Sequence, residues 1–259
     1  MKKLLGILVL GLLLSTNAYA KCKQEDYVNY VSSKKGCIGI EPVGQKIDGS
    51  FVKPNRKNLL IYLHGYGGGG QDDRKLIYTI RNNNTNAFFM AMPGYITPGW
   101  KNKSSGSQKQ QYVLKGFGPI ANAIKNLKDH YKPEKTILVG YSNGAGRTAI
   151  IIAKYPGLID EALLIACPCN LGKWHIKLHG GSKNISPHTL VKKIDKKTKV
   201  KIVVGRHDKE TPPNLSEDYY ERLQKNNIQS ELLLVDAPHH RSVLHVNKEL
   251  IAFAKEILN

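Results

Sequence analysis

Acidic residues are scarce. Asp and Glu number 20 against 39 Lys and Arg in 259 residues, a formal charge of +19. Such an imbalance favours contact with anionic surfaces such as phosphate-bearing envelope polymers, acidic glycans, lipid headgroups or nucleic acid. The lysines are scattered through the chain, however, which reads first as a solvated surface. No zinc-finger spacing, RNP-type aromatic pair or basic zipper accompanies the charge, so specific nucleic-acid recognition is not expected. Cysteine is also sparse, with four residues and no pair of Cys-x-x-Cys halves, which argues against the usual structural zinc sites. Past residue 20 no apolar run approaches membrane-spanning length, so no membrane span is expected. No internal repeat or low-complexity segment stands out, which leaves an ordinary folded chain.

The first twenty residues differ from the rest. Lys2 and Lys3 form a basic start, Leu4 to Leu14 carries no charge, and Ala18-Tyr19-Ala20 fits a small-x-small cleavage site. That is the layout of a secretory signal peptide, and it predicts a periplasmic or secreted protein. Losing Lys2 and Lys3 removes two charges and still leaves +17. Export permits disulfides among Cys22, Cys37, Cys167 and Cys169, for which three pairings exist. Cys22 with Cys37 would tie down the mature N-terminus and is preferred. A direct Cys167–Cys169 bond closes a very tight ring.

Residues 21–259 read as one α/β domain. Short apolar runs at 58–63, 87–92, 135–139, 162–166, 200–204 and 231–235 are bounded by Gly, Pro or charge and read as buried strands. Between them lie helical stretches at 108–130, 144–154, 216–225 and 245–258. Residues 37–52 read as one or two leading edge strands with a turn near Asp48-Gly49. Alternating strands and helices predict a mostly parallel central sheet with helices on both faces. The irregular stretch from Cys167 to Lys199, with Pro168, Gly180-Gly181 and Pro187, predicts a minimal cap over an open site.

The chemistry centres on Gly140-Tyr141-Ser142-Asn143-Gly144. It follows the strand Thr136 to Val139 and precedes an apolar helical run, so Ser142 sits on an abrupt strand-to-helix turn. Small flanking residues allow the strained backbone and close neighbours that such a turn requires. A serine nucleophile needs a base, and the base an orienting acid. Asp208 follows a strand in Gly205-Arg206-His207-Asp208, and His239-His240 follow the last strand. The carboxyl ends of parallel strands are where open α/β sheets gather their sites. By strand-end spacing His240 is the base, and His239 a surface group or substrate contact. His207 reads as loop support, and Asp160 and Asp236 lack so complete a strand-Gly-x-x-Asp setting. His175 and His179 lie four apart, but neighbouring glycines and the lack of a third ligand make them surface residues; no metal or cofactor is expected. Trp100, Trp174 and Tyr141 are candidates to line an acyl pocket.

On four elements the chain resembles the α/β-hydrolase family over residues 58–259. They are Leu63-His64-Gly65-Tyr66-Gly67, the Ser142 elbow, Gly205-x-x-Asp208-x-x-x-Pro212, and the His240 loop. The resemblance implies Ser142 as nucleophile, Asp208 as acid and His240 as base. It implies an oxyanion hole from the backbone N–H groups of Tyr66 and Asn143, with Gly67 as alternative to Tyr66. Gly-x-Ser-Asn-Gly and the run Gly67 to Gly70 are similar to secreted polyhydroxybutyrate depolymerases and feruloyl esterases, although Pro238-His239-His240-Arg241 departs from the Gly-x-x-His of that branch. The resulting expectation is an exported carboxylic-ester hydrolase acting on polymeric or anionic envelope or host material. A prolyl-oligopeptidase-like peptidase and a catalytically idle cationic binding protein are the rivals.

Overall fold

Six of the strand-like runs form strands within two residues of their expected ends. The computed structural model describes residues 25–33, 36–44, 52–53, 55–99, 102–108, 114–174 and 185–259. Residues 1–20, Cys22, the Asp48-Gly49 turn, Trp100, His175 and His179 lie outside the described residues. The strands are β1 (Tyr30–Ser33), β2 (Gly36–Pro42), β3 (Asn58–Leu63), β4 (Thr85–Met90), β5 (Lys135–Tyr141), β6 (Glu161–Ile165), β7 (Lys199–Gly205) and β8 (Ser230–Val235). They form one sheet in the order β1-β2-β4-β3-β5-β6-β7-β8. β1 and β2 pair antiparallel, as do β2 and β4; every other pairing is parallel.

The helices are α1 (Gln71–Ile80), α2 (Leu114–Tyr131), α3 (Asn143–Lys154), α4 (Pro187–Leu190), α5 (Pro213–Lys225), α6 (Arg241–Leu244) and α7 (Lys248–Lys255). α1 was not expected. Its segment is mostly polar, and only Asp73, Leu76, Ile77 and Ile80 turn inward, at the i, i+3, i+4, i+7 spacing of one helix face. The helix expected over 245–258 is shorter, α7 and a closing 3₁₀ turn, and is preceded by the separate α6. The break falls at Asn247, whose side chain accepts the Leu250 N–H at 3.0 Å and so begins a new helix.

Strand residues alternate between two apolar layers. Leu59, Ile61 and Leu63 of β3 face a core shared with Phe117, Ile120 and Ile124 of α2 and Ile150 to Ile152 of α3. Leu60 and Tyr62 face Leu76 and Ile77 of α1 and Leu250 and Ala254 of α7. A parallel sheet covered on both faces needs such near-continuous apolar strands. Its register aligns Leu63 with Gly140, Tyr141 with Ile165 and Gly205 with Val235, so the loops after β3, β5, β6, β7 and β8 emerge along one edge.

Among the described residues the segment after β6 carries only short helical pieces, α4 and a 3₁₀ turn at Val191–Lys193. A disulfide joins Cys167 to Cys169, with Cα atoms 5.0 Å apart. Both residues are fully buried in the first core. Cys37 is also disulfide-bonded.

Candidate active site

Ser142 lies between β5 and α3 with φ 51° and ψ −117°. A non-glycine residue at positive φ stores of the order of 1–3 kcal/mol of strain, which the surroundings must hold in place. Here the Ser142 N–H donates to the Ile165 carbonyl at 2.8 Å, and its own carbonyl accepts from the Gly146 N–H at 3.1 Å. Gly144 is required by contact: a Cβ there would lie 2.1 Å from the Leu63 carbonyl oxygen. A Cβ on Gly65 would lie 3.4 Å from that of Ser142, so the loop carrying Tyr66 runs directly beside the serine. Tyr66 is exposed, and Asn143 opens α3 immediately after Ser142.

Asp208 sits past the end of β7 with its side chain fully buried. Its Oδ1 accepts the backbone N–H groups of Glu210 at 2.9 Å and Thr211 at 2.7 Å. Its Oδ2 accepts from His239 Nδ1 at 2.7 Å, and His239 Nε2 lies 3.1 Å from Ser142 Oγ. A carboxylate can only accept, so Nδ1 carries the proton and Nε2 is left to accept from the serine hydroxyl. Ser142, His239 and Asp208 thus form an unbroken hydrogen-bonded chain across three strand ends.

The expectation for His240 is corrected by this geometry. His240 points away, its Nδ1 2.7 Å from Ser242 Oγ on the exposed side of α6. The turn after β8 is fixed so that His239 faces inward. The buried hydroxyl of Tyr141, the residue before Ser142, donates to the His239 carbonyl at 2.6 Å. Two residues further on, Arg241 donates to Asp73 Oδ2 at 2.9 Å and to the Gly68 carbonyl at 3.3 Å. Asp73 is fully buried on α1 and also accepts from the Tyr62 hydroxyl at 2.6 Å and the Gly70 N–H at 2.8 Å. Burial pushes its carboxyl above the ordinary aspartate range, against the pull of Arg241 and Tyr62. The same network therefore ties the glycine run after β3 to the histidine turn after β8.

Several residues carried no signal strong enough to single out from sequence. Thr211 Oγ1 lies 2.7 Å from Asp208 Oδ2, 3.1 Å from His239 Nδ1 and 3.1 Å from the Ala166 carbonyl, so it braces Asp208 and His239 together. Its place three residues after Asp208, ahead of Pro212-Pro213, is the only sequence clue. Glu210 is exposed, yet its Oε2 reaches to 3.5 Å from His239 Nε2. The Trp174 indole donates to the Glu210 carbonyl at 2.8 Å, so this aromatic holds the loop after β7.

The remaining sequence candidates fall elsewhere. His207 pairs with Asp236 at 2.7 Å on the surface. Asp160 accepts the Thr136 N–H at the opposite end of the sheet. His64 is fully buried beneath the elbow, with Nδ1 donating to the Gly65 carbonyl at 2.7 Å and Nε2 accepting the Met92 N–H at 3.1 Å. Burial lowers its pKa to about 3, so it is a neutral brace for the loop after β3. Among the described residues no three His, Cys, Asp or Glu side chains converge as a metal site, and no helix is long and apolar enough to cross a membrane.

No protein-family model and no curated protein matches the sequence. Solved structures do match the fold. The Pyrococcus furiosus esterase Pf2001 superposes with TM-score 0.69 at 19% identity, covering 88% of each chain. Est1E from Butyrivibrio proteoclasticus, solved with ferulic acid bound, gives 0.69 at 15% identity over 88% of this chain and 97% of its own. XC6422 from Xanthomonas campestris, described as a serine hydrolase without a lid, gives 0.61 at 15% identity over 88% and 91%. With the strand order and the elbow described above, these likenesses show that the chain has the α/β-hydrolase fold.

Proposed function

We propose that the protein is a serine hydrolase of carboxylic esters, working through an acyl-enzyme on Ser142. The observation that carries this reading is the chain from Ser142 Oγ through both nitrogens of His239 to Asp208, with spacings of 3.1 and 2.7 Å, mounted on a strained elbow. In this reading His239 Nε2 takes the hydroxyl proton as Ser142 attacks the carbonyl carbon. Asp208 holds the imidazole in the tautomer needed and stabilises its charge. Backbone N–H groups of Asn143 and Tyr66 (or Gly67) receive the oxyanion. The protonated Nε2 then delivers its proton to the departing alcohol, and water releases the acid by the same steps in reverse order.

The esterase descriptions of the structural neighbours favour ester over amide substrates, and the short pieces after β6 suit an open site that admits a bulky or polymeric ester. Export through residues 1–20 is part of the proposal. It is supported by the Lys2-Lys3, Leu4 to Leu14 and Ala18-x-Ala20 pattern and by disulfides at Cys167–Cys169 and at Cys37, bonds that persist in oxidising compartments. N-terminal sequencing of the fractionated protein tests this, with Lys21 as the expected first residue.

A fluorophosphonate probe tests the chemistry. Wild type is expected to label and Ser142→Ala to remain blank. Absence of wild-type labelling, or equal labelling of Ser142→Ala, leaves the idle cationic binding protein as the reading. Short-chain nitrophenyl esters are expected to turn over, and proline-containing peptide amides to resist.

A further inference from the structure

Glu210 occupies an unusual place for a carboxylate. Its Oε2 lies 3.5 Å from His239 Nε2, the nitrogen that also faces Ser142 Oγ. The Glu210 backbone is pinned on both sides, its N–H given to Asp208 Oδ1 at 2.9 Å and its carbonyl taken by the Trp174 indole at 2.8 Å. Pro212 and Pro213 stiffen the chain just beyond. The carboxylate is therefore delivered to the rim by the same hydrogen bonds that orient the acid.

Its charge is not spent elsewhere. Among the described residues no Lys or Arg pairs with Glu210; its one close charged-group contact is His239 Nε2, an ion pair only when the imidazole is protonated, and its side chain is 68% exposed. The cations on adjoining segments have other partners: Lys173 pairs with Asp218 at 2.6 Å and Arg241 with Asp73 at 2.9 Å. Lys209 is exposed on the same loop, and the surface acid Asp236 is paired with His207. The mouth thus holds a negative group in a protein whose overall charge is strongly positive.

In acyl transfer the protonated base hands its proton to the leaving oxygen, so the alcohol portion of the ester must lie against His239 Nε2. That is where Glu210 stands. We propose that Glu210 is a specificity determinant for the alcohol side of the substrate, selecting esters of cationic alcohols and rejecting those of anionic alcohols. This rests on the hydrolase reading above. It runs against the preference for anionic substrates that net charge alone suggests. The carbonyl oxygen turns to the backbone donors, and the acyl chain leaves the carbonyl carbon on a bond other than the one to the leaving oxygen, so it is farther from Nε2 and escapes the filter.

Two unit charges about 7 Å apart at a wet surface change an equilibrium about threefold, and attraction of the cation and repulsion of the anion multiply. The test measures kcat/KM of the purified protein at low ionic strength on three butyrate esters: choline, its neutral isostere 3,3-dimethylbutyl, and 2-sulfoethyl. The choline to 2-sulfoethyl ratio is expected to be about tenfold, to fall to about one in Glu210→Gln, to invert in Glu210→Lys, and to shrink in wild type at high salt. A parallel series keeps nitrophenol as leaving group and places the cation or anion on the acyl chain; there the ratio is expected to change less than about twofold between wild type and Glu210→Gln, for lack of close charge contact. A ratio unchanged in Glu210→Gln, or one that changes equally for acyl-side charges, overturns the filter while leaving the hydrolase reading intact. Failure of wild type both to turn over any ester and to label with fluorophosphonate overturns the hydrolase reading and the filter together.

Discussion

The elbow after β5 and the turn after β8 both bring a side chain of the Ser142–His239–Asp208 chain to one sheet edge, by different means. At the elbow, contact alone leaves little choice: Gly144 has backbone oxygen where its side chain would be, and Ser142 is forced to positive φ. At the turn, two identical residues compete. His239 is 10% exposed in its side chain and bonded to Asp208, while His240 lies outside against Ser242. A strand end determines the edge on which a loop emerges. Which of two consecutive side chains turns inward depends on anchors distant in sequence, here Tyr141 and the Arg241–Asp73 pair.

The largest break in this comparison comes from the histidines themselves. His239→Ala is expected to lower kcat by about a thousandfold or more, and His240→Ala by less than about threefold, since in the proposed mechanism only the former removes the base. Ester hydrolysis by the two variants decides it; a greater loss from His240→Ala would falsify the assignment.

A second contrast is set by pH. Each region rests on a buried histidine, His64 beneath the elbow and His245 at the end of α6, and burial lowers both to a pKa of about 3. Between pH 6.5 and 3 the unfolded chain takes up these protons and the folded chain does not. The stabilising contribution of these neutral histidines is therefore complete above 6.5 and is lost as pH falls, by roughly 1 kcal/mol per pH unit for each. Denaturant midpoints at pH 7.5 and 5 are expected to converge in His245→Asn relative to wild type. An unchanged spread would remove His245 from the account.

Smaller effects refine the anchors. Thr211→Val removes the hydroxyl that braces acid and base, and is expected to lower kcat about tenfold with KM little altered, as one buried hydrogen bond to a charged group would. Tyr141→Phe frees the His239 carbonyl and is expected to cost about fivefold in kcat, the worth of one neutral hydrogen bond. A loss confined to KM in either variant would mean that the hydroxyl serves binding rather than alignment.

Much of this was legible in the sequence because it depends on local pattern. Runs such as 58–63 and 200–204 announce buried parallel strands, and the spacing of glycines around Ser142 reports the crowding at the elbow. Asp208 could be found because it follows a strand and a glycine. What escaped depends on contacts across long separations. α1 hides its inward face among charges, one of which, Asp73, is itself buried by partners 168 residues away. Thr211 and Glu210 look like ordinary loop residues until His239 is brought beside them.

The place of β8 in the sheet has a kinetic consequence. Among the described residues it is an edge strand, paired only with β7. Ser142 and Asp208 are seated by strands with neighbours on both sides, but His239 hangs from the margin. Edge elements open at lower free energy than the centre of a sheet. The Ser142–His239–Asp208 chain is therefore expected to come apart early in unfolding. On heating or in mild denaturant, turnover should fade while most of the sheet still protects its amide protons from exchange.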